Sequence, residues 1–212
     1  MKVDMHLHTG KSDGRDSLHN MVEAAEAKGL DLIAITDHGP GHGSGITAKQ
    51  ALETKKEAEL LQPNYHVKIL AGIEAEILST GEVLLDSREG LDIVLASYHG
   101  APSEEAYYRA VMRAVTDPRV DVLAHHAWIA GRFGPIARYD DVLVELMATH
   151  EVAIEINSKH ALPSWDFLQK CKEAGIKYTI GSDAHKAADV GSVAWAKNTA
   201  RHIYCDEGLF LP

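Results

Sequence analysis

The sequence predicts an α/β fold in which seven strand–helix units form a closed or nearly closed barrel. Apolar runs typical of buried parallel strands alternate along the chain with segments of helical period. The apolar runs end in polar residues, most of them histidine or acidic. Parallel strands place such ends at one edge, and seven units of this kind favour a barrel over an open sheet. Because 212 residues with 45% hydrophobic content suffice for one sizeable core, we expect a single domain spanning residues 1–212.

The predicted strands are apolar runs that become polar at their carboxyl ends. They comprise residues 2–8, 30–38, 67–74, 92–99, 120–126, 152–157 and 177–185. The predicted helices carry apolar residues at helical spacing and comprise residues 17–28, 47–62, 103–115, 140–150, 164–174 and 187–201. Ser17 is the expected N-cap of the first helix, and Gly29 is its expected end.

Composition narrows the class of protein. The 31 acidic residues outnumber the 21 basic ones, and the formal charge of −10 argues against a surface that wraps extended nucleic acid. A small phosphorylated substrate is compatible with this charge, because bound cations would make the site locally positive. The two cysteines, Cys171 and Cys205, do not form a disulfide framework pattern. The chain enters a strand without a signal-like segment and has no apolar run of about 18 residues, so we expect a cytoplasmic protein without membrane contact. Its oligomeric state is left open.

Metal-ligating residues collect at the predicted carboxyl ends of the strands. Alternation places His6 and His8 on one face of the first strand, as a pair of imidazoles within reach of one cation, and Asp13 follows on a short loop. Similar positions at the ends of later strands are taken by His38, Glu74, His99, His125, Asp183 and His185. Of the neighbours His125 and His126, only one can point into the barrel mouth, and the spacing favours His125.

These nine nitrogen and oxygen donors exceed what one tetrahedral ion accepts. They suit two to three divalent cations that share bridging carboxylates, and the lack of thiolates favours Zn²⁺, Mn²⁺ or Fe²⁺. Cations held about 4 Å apart can acidify a shared water and neutralise the oxygens of a phosphate. We therefore expect hydrolysis of a phosphoester.

Basic residues in the mouth loops are candidates for holding the substrate. The predicted substrate-binding residues are Arg132, Lys159, His160 and His42. Arg132 lies seven residues beyond His125, and its guanidinium would stabilise charge developing on the phosphoryl group, so it joins Asp183 and His185 as a catalytic candidate. The alternative is that Arg132 is a solvated loop residue and that Lys159 holds the phosphate.

Seven motifs resemble those of the PHP family, named for polymerase and histidinol phosphatase domains. In chain order they are His6-Leu-His8-Thr with Ser12-Asp13, Ile35-Thr-Asp-His38, Gly72-Ile-Glu74, Ala96-Ser-Tyr-His99, Val122-Leu-Ala-His125, Glu155-Ile-Asn157 and Gly181-Ser-Asp-Ala-His185. They cover nearly the whole chain and look most like the stand-alone bacterial phosphatases and the PHP domain of family X DNA polymerases. The resemblance implies a distorted (β/α)7 barrel with a trinuclear metal site.

The resemblance also implies how the ligands are shared. One ion would be held by His6, His8, Glu74 and Asp183. Glu74 would bridge to a second ion held by His99 and His125, and a third would be held by Asp13, His38 and His185.

The substrate is not specified by these residues. The favoured function is a phosphatase acting on a small phosphomonoester. Alternatives are a 3'-5' exonuclease or phosphodiesterase acting on nucleic acid or nucleotides, and a non-catalytic, metal-stabilised partner domain. The last is disfavoured because no ligand of the family pattern is missing. Histidinol phosphate is a compatible substrate, but nothing in the sequence selects it.

Overall fold

The structure, a computed structural model, describes residues 1–100, 103–127 and 137–212. The strands found in these ranges are β1 (Val3–Leu7), β2 (Leu32–Ile35), β3 (Lys68–Ala71), β4 (Ile73–Ile77), β5 (Val83–Leu84), β6 (Val94–Ser97), β7 (Val122–Leu123), β8 (Ala153–Asn157) and β9 (Tyr178–Gly181). The helices are α1 (Leu18–Ala27), α2 (Ala48–Leu61), α3 (Glu104–Ala114), α4 (Ala137–Thr149), α5 (Trp165–Glu173) and α6 (Ala194–Tyr204). Strand and helix alternate around one ring, as the sequence predicts.

Parallel strands form the wall of this ring. The hydrogen-bonded order is β1-β2-β3 in one sheet and β4-β6-β7-β8-β9 in the other, with β5 antiparallel at the edge of β4. β3 and β4 are two halves of one bent strand, separated by Gly72, where a Cβ atom would collide with the Ile93 carbonyl oxygen. The ring closes where the His8 amide donates to the Ala184 carbonyl at 2.9 Å and where the Glu74 amide donates to the Asp37 carbonyl at 3.0 Å. The fold is therefore the distorted (β/α)7 barrel expected from the sequence.

The helices pack their apolar sides against the outside of the ring. The larger cluster of buried side chains contains residues of all nine strands and of α2–α6, and a smaller one joins β1–β3 to α1 and α2. Leu143 and Phe167 are fully buried in the larger cluster, and each such side chain contributes about 1.5–3 kcal/mol to folding. Among the described helices, none is long and apolar enough to cross a membrane.

The last predicted helix differs from the observed one. Instead of a continuous helix over 187–201, the chain forms a 3-10 turn at Ala187–Asp189 and then α6 at Ala194–Tyr204. Gly191 lies between them with a φ of +73°, and its amide donates to the buried Asp4 carboxylate at 2.7 Å. This anchor to β1 holds the segment in a left-handed turn, so a regular helix cannot begin before it.

The seventh strand also ends earlier than predicted. β9 stops at Gly181 rather than continuing to residue 185. Asp183 has a φ of +54°, and Asp4 holds the preceding residue, Ser182, through its amide at 2.8 Å and its hydroxyl at 2.6 Å. Asp183 and His185 thus reach the mouth through a turn, and the strand alternation predicted for them is wrong.

Candidate metal centre

The predicted ligands converge at the carboxyl ends of the strands. His6 lies in β1, Glu74 lies in β4, and the other seven follow strand ends or lie in the loop after β1. Each of the nine belongs to at least one group whose ligand atoms lie within 4.8 Å of one another. These groups are His6–His8–Asp183, His6–Glu74–His125, His38–Glu74–His99 and His8–Asp13–His38–His185. The residues singled out in the sequence therefore meet in space.

Glu74 occupies the centre of the constellation. Its Oε1 atom lies 2.8 Å from His125 Nε2 and 3.6 Å from His99 Nε2. Its Oε2 atom lies 3.4 Å from His6 Nε2 and 3.5 Å from His8 Nε2. The two oxygens of one carboxylate thus face two different pairs of imidazoles, which is the geometry needed to bridge two cations.

The residues around Glu74 Oε2 fit a bound cation. Zn²⁺ holds nitrogen and oxygen ligands at about 2.0–2.2 Å, so neighbouring ligand atoms of a tetrahedral ion lie about 3.3–3.6 Å apart. His6, His8 and Glu74 have this spacing, and His8 Nε2 lies 3.6 Å from Asp183 Oδ1. Among the described residues, His6 Nε2 and His8 Nε2 are buried and have no hydrogen-bond partner. Buried polar atoms are normally satisfied, and an ion at this position would satisfy both.

A second region of the mouth centres on Asp13. Asp13 Oδ2 lies 3.2 Å from His185 Nε2 and 3.6 Å from His38 Nε2. Asp13 Oδ1 lies 3.8 Å from His8 Nδ1, so the imidazole of His8 stands between this group and Glu74. His38 has a similar position, because its Nδ1 atom lies 2.7 Å from Glu74 Oε2. The two histidines link the Asp13 region to the Glu74 region.

Burial and neighbouring charges shift the pKa values of three central groups, Glu74, Asp183 and His8. Burial raises the pKa of Glu74, but the nearby imidazoles, first that of His6, outweigh it and hold the pKa well below its ordinary value. Burial also raises the pKa of Asp183, and His6, His160 and His8 lower it well below the ordinary value. Burial lowers the pKa of His8 well below its ordinary value, with Glu74 opposing the shift. Ionised carboxylates and a neutral imidazole are the forms that ligate metals.

Two further carboxylates contact three of the predicted ligands. Glu76 Oε2 lies 2.6 Å from His99 Nδ1, and Glu76 Oε1 accepts the His99 amide at 3.1 Å. Glu155 Oε1 lies 2.8 Å from His6 Nδ1, and Glu155 Oε2 accepts the His125 amide at 2.7 Å. Metal-ligating histidines usually donate their other ring nitrogen in this way. Neither role was predicted from the sequence, although an acidic residue inside an apolar strand, as Glu155 is, was a usable signal.

The predicted substrate-binding residues line the same mouth where the structure describes them. His42, Lys159 and His160 border a cavity of about 310 Å³ together with seven of the predicted ligands. Lys159 Nζ lies 3.0 Å from Asp183 Oδ1, and His160 Nε2 lies 3.2 Å from Asp183 Oδ2. The His42 ring stacks on that of His38 with centroids 3.9 Å apart. Arg132 lies outside the described residues, and its role stays a prediction.

His125 and His126 are separated as the spacing predicts. His125 borders the mouth, whereas His126 is buried behind the wall with its Nδ1 atom 2.9 Å from the Tyr107 hydroxyl. Burial lowers the pKa of His126 to about 3, so it is a neutral residue of the core. His126 makes no contact with the cavity.

A βα barrel with imidazoles and carboxylates gathered at its mouth is the architecture of a metal-dependent hydrolase. A family model described as the PHP domain matches residues 4–164, and this chain belongs to the PHP family. The family and the site together define a metal-dependent phosphoester hydrolase.

Relatives of known name place the chain more closely. It is 33% identical over 229 residues to a probable phosphatase of Thermoanaerobacter sp., an alignment that covers 99% of this chain and 89% of that protein. It is also 33% identical over 198 residues to the DNA polymerase/3'-5' exonuclease PolX of Bacillus subtilis, covering 87% of this chain. The chain spans 34% of the length of PolX.

A solved structure supports the fold. The histidinol phosphate phosphatase of Lactococcus lactis, complexed with zinc, L-histidinol and phosphate, superposes with a TM-score of 0.73 and 21% identity. The match covers 99% of this chain and 94% of the other. The two proteins therefore share the whole barrel.

Proposed function

We propose that this protein is a phosphatase that hydrolyses a small phosphomonoester with the help of two to three divalent transition metals. The observation that carries the proposal is the position of Glu74, whose two oxygens face different imidazoles in a buried site. All the predicted ligand atoms are nitrogen or oxygen, which suits Zn²⁺, Mn²⁺ and Fe²⁺. The ligands would be His6, His8, Asp13, His38, Glu74, His99, His125, Asp183 and His185.

The bound ions would polarise the phosphoryl oxygens and lower the pKa of a water at the site. The chain's own residues would place the substrate. Lys159 and His160 lie beside Asp183 on one side of the cavity and would present positive charge and hydrogen-bond donors to a phosphoryl oxygen. His42 would line the same cavity, where its ring covers His38. In this assignment Asp183 and His185 would hold metal ions next to the reacting phosphate.

The cavities in the described part of the mouth favour a small substrate. A cavity of about 310 Å³ is at the lower end of the range for small-molecule sites. A second cavity of about 310 Å³ shares Lys159, Asp183 and His185 with the first, and would give room for the alcohol part of a phosphomonoester. The probable phosphatases among the relatives support this reading, and the histidinol phosphate phosphatase is an example with zinc, an alcohol and phosphate bound in the same fold.

The similarity to PolX favours a second candidate, 3'-5' exonuclease activity. The formal charge of −10 disfavours it, because long nucleic acid is held mainly through its phosphates by basic surfaces. The discriminating measurement compares kcat/KM on a chromogenic phosphomonoester with kcat/KM on single-stranded DNA under the same metal. We expect the phosphomonoester to be the better substrate.

The proposed function is tested by measuring the metal content of the protein and its hydrolysis of phosphorylated substrates. Protein purified without chelators should contain two to three equivalents of transition metal and should hydrolyse members of a panel of phosphorylated metabolites. Chelation should abolish hydrolysis, and returning the metal should restore it. One equivalent of metal, or activity that survives chelation, would contradict the proposal.

A further inference from the structure

Glu155 contacts two predicted metal ligands that come from different parts of the barrel wall. It is fully buried in β8. One carboxylate oxygen lies 2.8 Å from His6 Nδ1 on β1, and the other accepts the His125 amide at 2.7 Å after β7. Asn157 also donates to the first oxygen at 3.2 Å. Neither Glu155 oxygen is among the grouped ligand atoms, so the residue acts on the site only through others.

The neighbouring strand leaves room for this contact. Gly181 ends β9, and a Cβ atom there would collide with Glu155 Oε1 and would lie 2.7 Å from His6 Cβ. Any side chain at position 181 would therefore displace the carboxylate from His6. The glycine is required by the approach of Glu155 rather than by its own backbone, which is that of a strand.

The backbone of His125 needs a restraint of the kind that Glu155 supplies. His125 has a φ of +26° and Ala127 has a φ of +68°, conformations that cost free energy for residues other than glycine. Each of the two amides has its own acceptor: the His125 amide donates to Glu155, and the Ala127 amide donates to the Tyr107 hydroxyl at 2.7 Å. The turn that directs the His125 ring toward Glu74 thus rests on two buried acceptors.

We propose that Glu155 is a positioning residue that sets two metal positions at once. Toward His6 it accepts the Nδ1 proton, which leaves Nε2 free to face Glu74 and a cation. Toward His125 it fixes the backbone turn that brings Nε2 to the other oxygen of Glu74. The inference rests on the proposed metal centre, and it adds that the His6 and His125 positions are coupled through a residue that ligates neither ion.

Glu76 provides a matched comparison, because it is a carboxylate of the same kind with one target. Both of its oxygens contact His99, through the ring at 2.6 Å and the amide at 3.1 Å. Removal of Glu76 should therefore weaken one metal position, whereas removal of Glu155 should weaken two. Loss of such an outer carboxylate typically lowers metal affinity by about 10–100-fold.

Glutamine at position 155 separates the two contacts. An amide has one oxygen, and the His125 amide is a donor that only an oxygen can satisfy. The amide nitrogen would then face His6 Nδ1, which can adjust by moving its proton to Nε2. A protonated Nε2 cannot ligate a cation, so Glu155→Gln should weaken the His6 position and spare the His125 position.

The experiment is a metal titration of the full chain after chelation, with wild type, Glu155→Ala, Glu155→Gln and Glu76→Ala compared by calorimetry. We expect about 10–100-fold weaker binding at two positions for Glu155→Ala, and at one position for Glu155→Gln and for Glu76→Ala. In the metal-free proteins, the NMR signal of the His6 Nδ1 proton should be present in wild type and Glu76→Ala and absent in Glu155→Gln. A purely structural role would not move this proton.

The outcomes separate the two proposals. Wild type that binds fewer than two ions contradicts the metal centre itself. Wild type that binds its ions normally, together with Glu155→Gln that retains both the His6 signal and wild-type affinities, overturns the role of Glu155. Because Glu155→Ala leaves a buried amide without an acceptor, a failure of that variant to fold leaves Glu155→Gln, which has the same shape, to decide the matter.

Discussion

At the scale of single residues, the carboxylate of Glu74 can contact two metal positions at once, which a single imidazole cannot do. Each imidazole offers one ligating nitrogen toward the centre, whereas the two oxygens of Glu74 point to different pairs of histidines. Asp13 stands at the rim, half-exposed, and faces His38 and His185. The two carboxylates therefore differ in how many metal positions depend on them.

The first prediction compares these two carboxylates. Glu74→Gln should lower the metal content of the purified protein by more than one equivalent. The substitution replaces one oxygen of a carboxylate that two metal positions share. Asp13→Asn should lower it by about one equivalent or less, since the mouth retains its other donors. Elemental analysis of both variants beside wild type is the measurement. Equal losses would contradict bridging by Glu74.

The second prediction concerns Lys159, whose ammonium group lies beside Asp183 at the cavity wall. Lys159→Met keeps the length of the side chain and removes the charge, so KM for a phosphomonoester should rise by about 10-fold or more, as for loss of one hydrogen bond to a charged group. Metal content should be unchanged. Lys170→Met is the control, because Lys170 pairs with Asp141 at 2.6 Å and lines neither cavity of the mouth. A similar rise in both variants would mean a general effect of charge rather than a contact with phosphate.

At the scale of secondary-structure elements, the sequence predicts what is local and misses what depends on contacts across the barrel. The positions of His6, His8 and Glu74 at one end of the barrel were predictable, because strand alternation and the ends of apolar runs can be recognised within short segments. The end of β9 and the start of α6 were not, because both are decided by Asp4, which binds Ser182 and Gly191 far along the chain. The contacts of Glu155 and Glu76 were missed for the same reason.

The third prediction concerns the ion pair of Arg119 and Asp117 next to β5. Arg119 donates to Asp117 and to the carbonyl oxygens of Val83 and Leu85, and so ties β5 to the connection before β7. Its hydrogen bonds to Asp117 lower the pKa of that carboxyl below the ordinary 3.8. The folded state therefore binds the proton of Asp117 less readily than the unfolded state. The resulting stability is complete above pH 3.8 and is lost as the pH falls through the lower folded pKa.

Asp117→Asn should accordingly lower the free energy of unfolding by about 1 kcal/mol at pH 7, and by less as the pH falls below about 4. Urea unfolding of metal-free protein as a function of pH is the measurement. Asp141→Asn is the control, because Asp141 pairs with Lys170 on the surface and ties no strand. A deficit for Asp117→Asn that stays constant with pH would show that packing, not the charge, is responsible.

At the scale of the whole molecule, the metal centre joins parts of the chain that are distant in sequence. His6 and His8 come from the first strand, Asp183 and His185 follow the last one, and these two ends of the chain meet at the hydrogen bond between His8 and Ala184. Glu74 lies on β4, between these two ends in the chain order. Ions shared among these residues would link the whole wall of the barrel rather than one loop.

The last prediction follows from this linkage. An ion that binds only the folded state stabilises it by about 2.7 kcal/mol when its free concentration is 100 times its dissociation constant. For a domain of about 200 residues this corresponds to a rise in Tm of about 5–10 °C for each ion. Removal of metal should therefore lower Tm in one cooperative transition, because every strand that carries a ligand loses the same linkage. Thermal unfolding followed by circular dichroism, before and after chelation, measures the shift.

Returning Zn²⁺ or Mn²⁺ should restore the original Tm, whereas Mg²⁺ should restore little of it, because Mg²⁺ prefers oxygen ligands and six of the nine donors are imidazoles. Glu74→Gln, which loses the shared ligand, should show a smaller difference between metal-loaded and metal-free protein than wild type. If chelation abolished hydrolysis and left Tm unchanged, the ions would be held by a local part of the mouth, and the linkage across the barrel would be wrong.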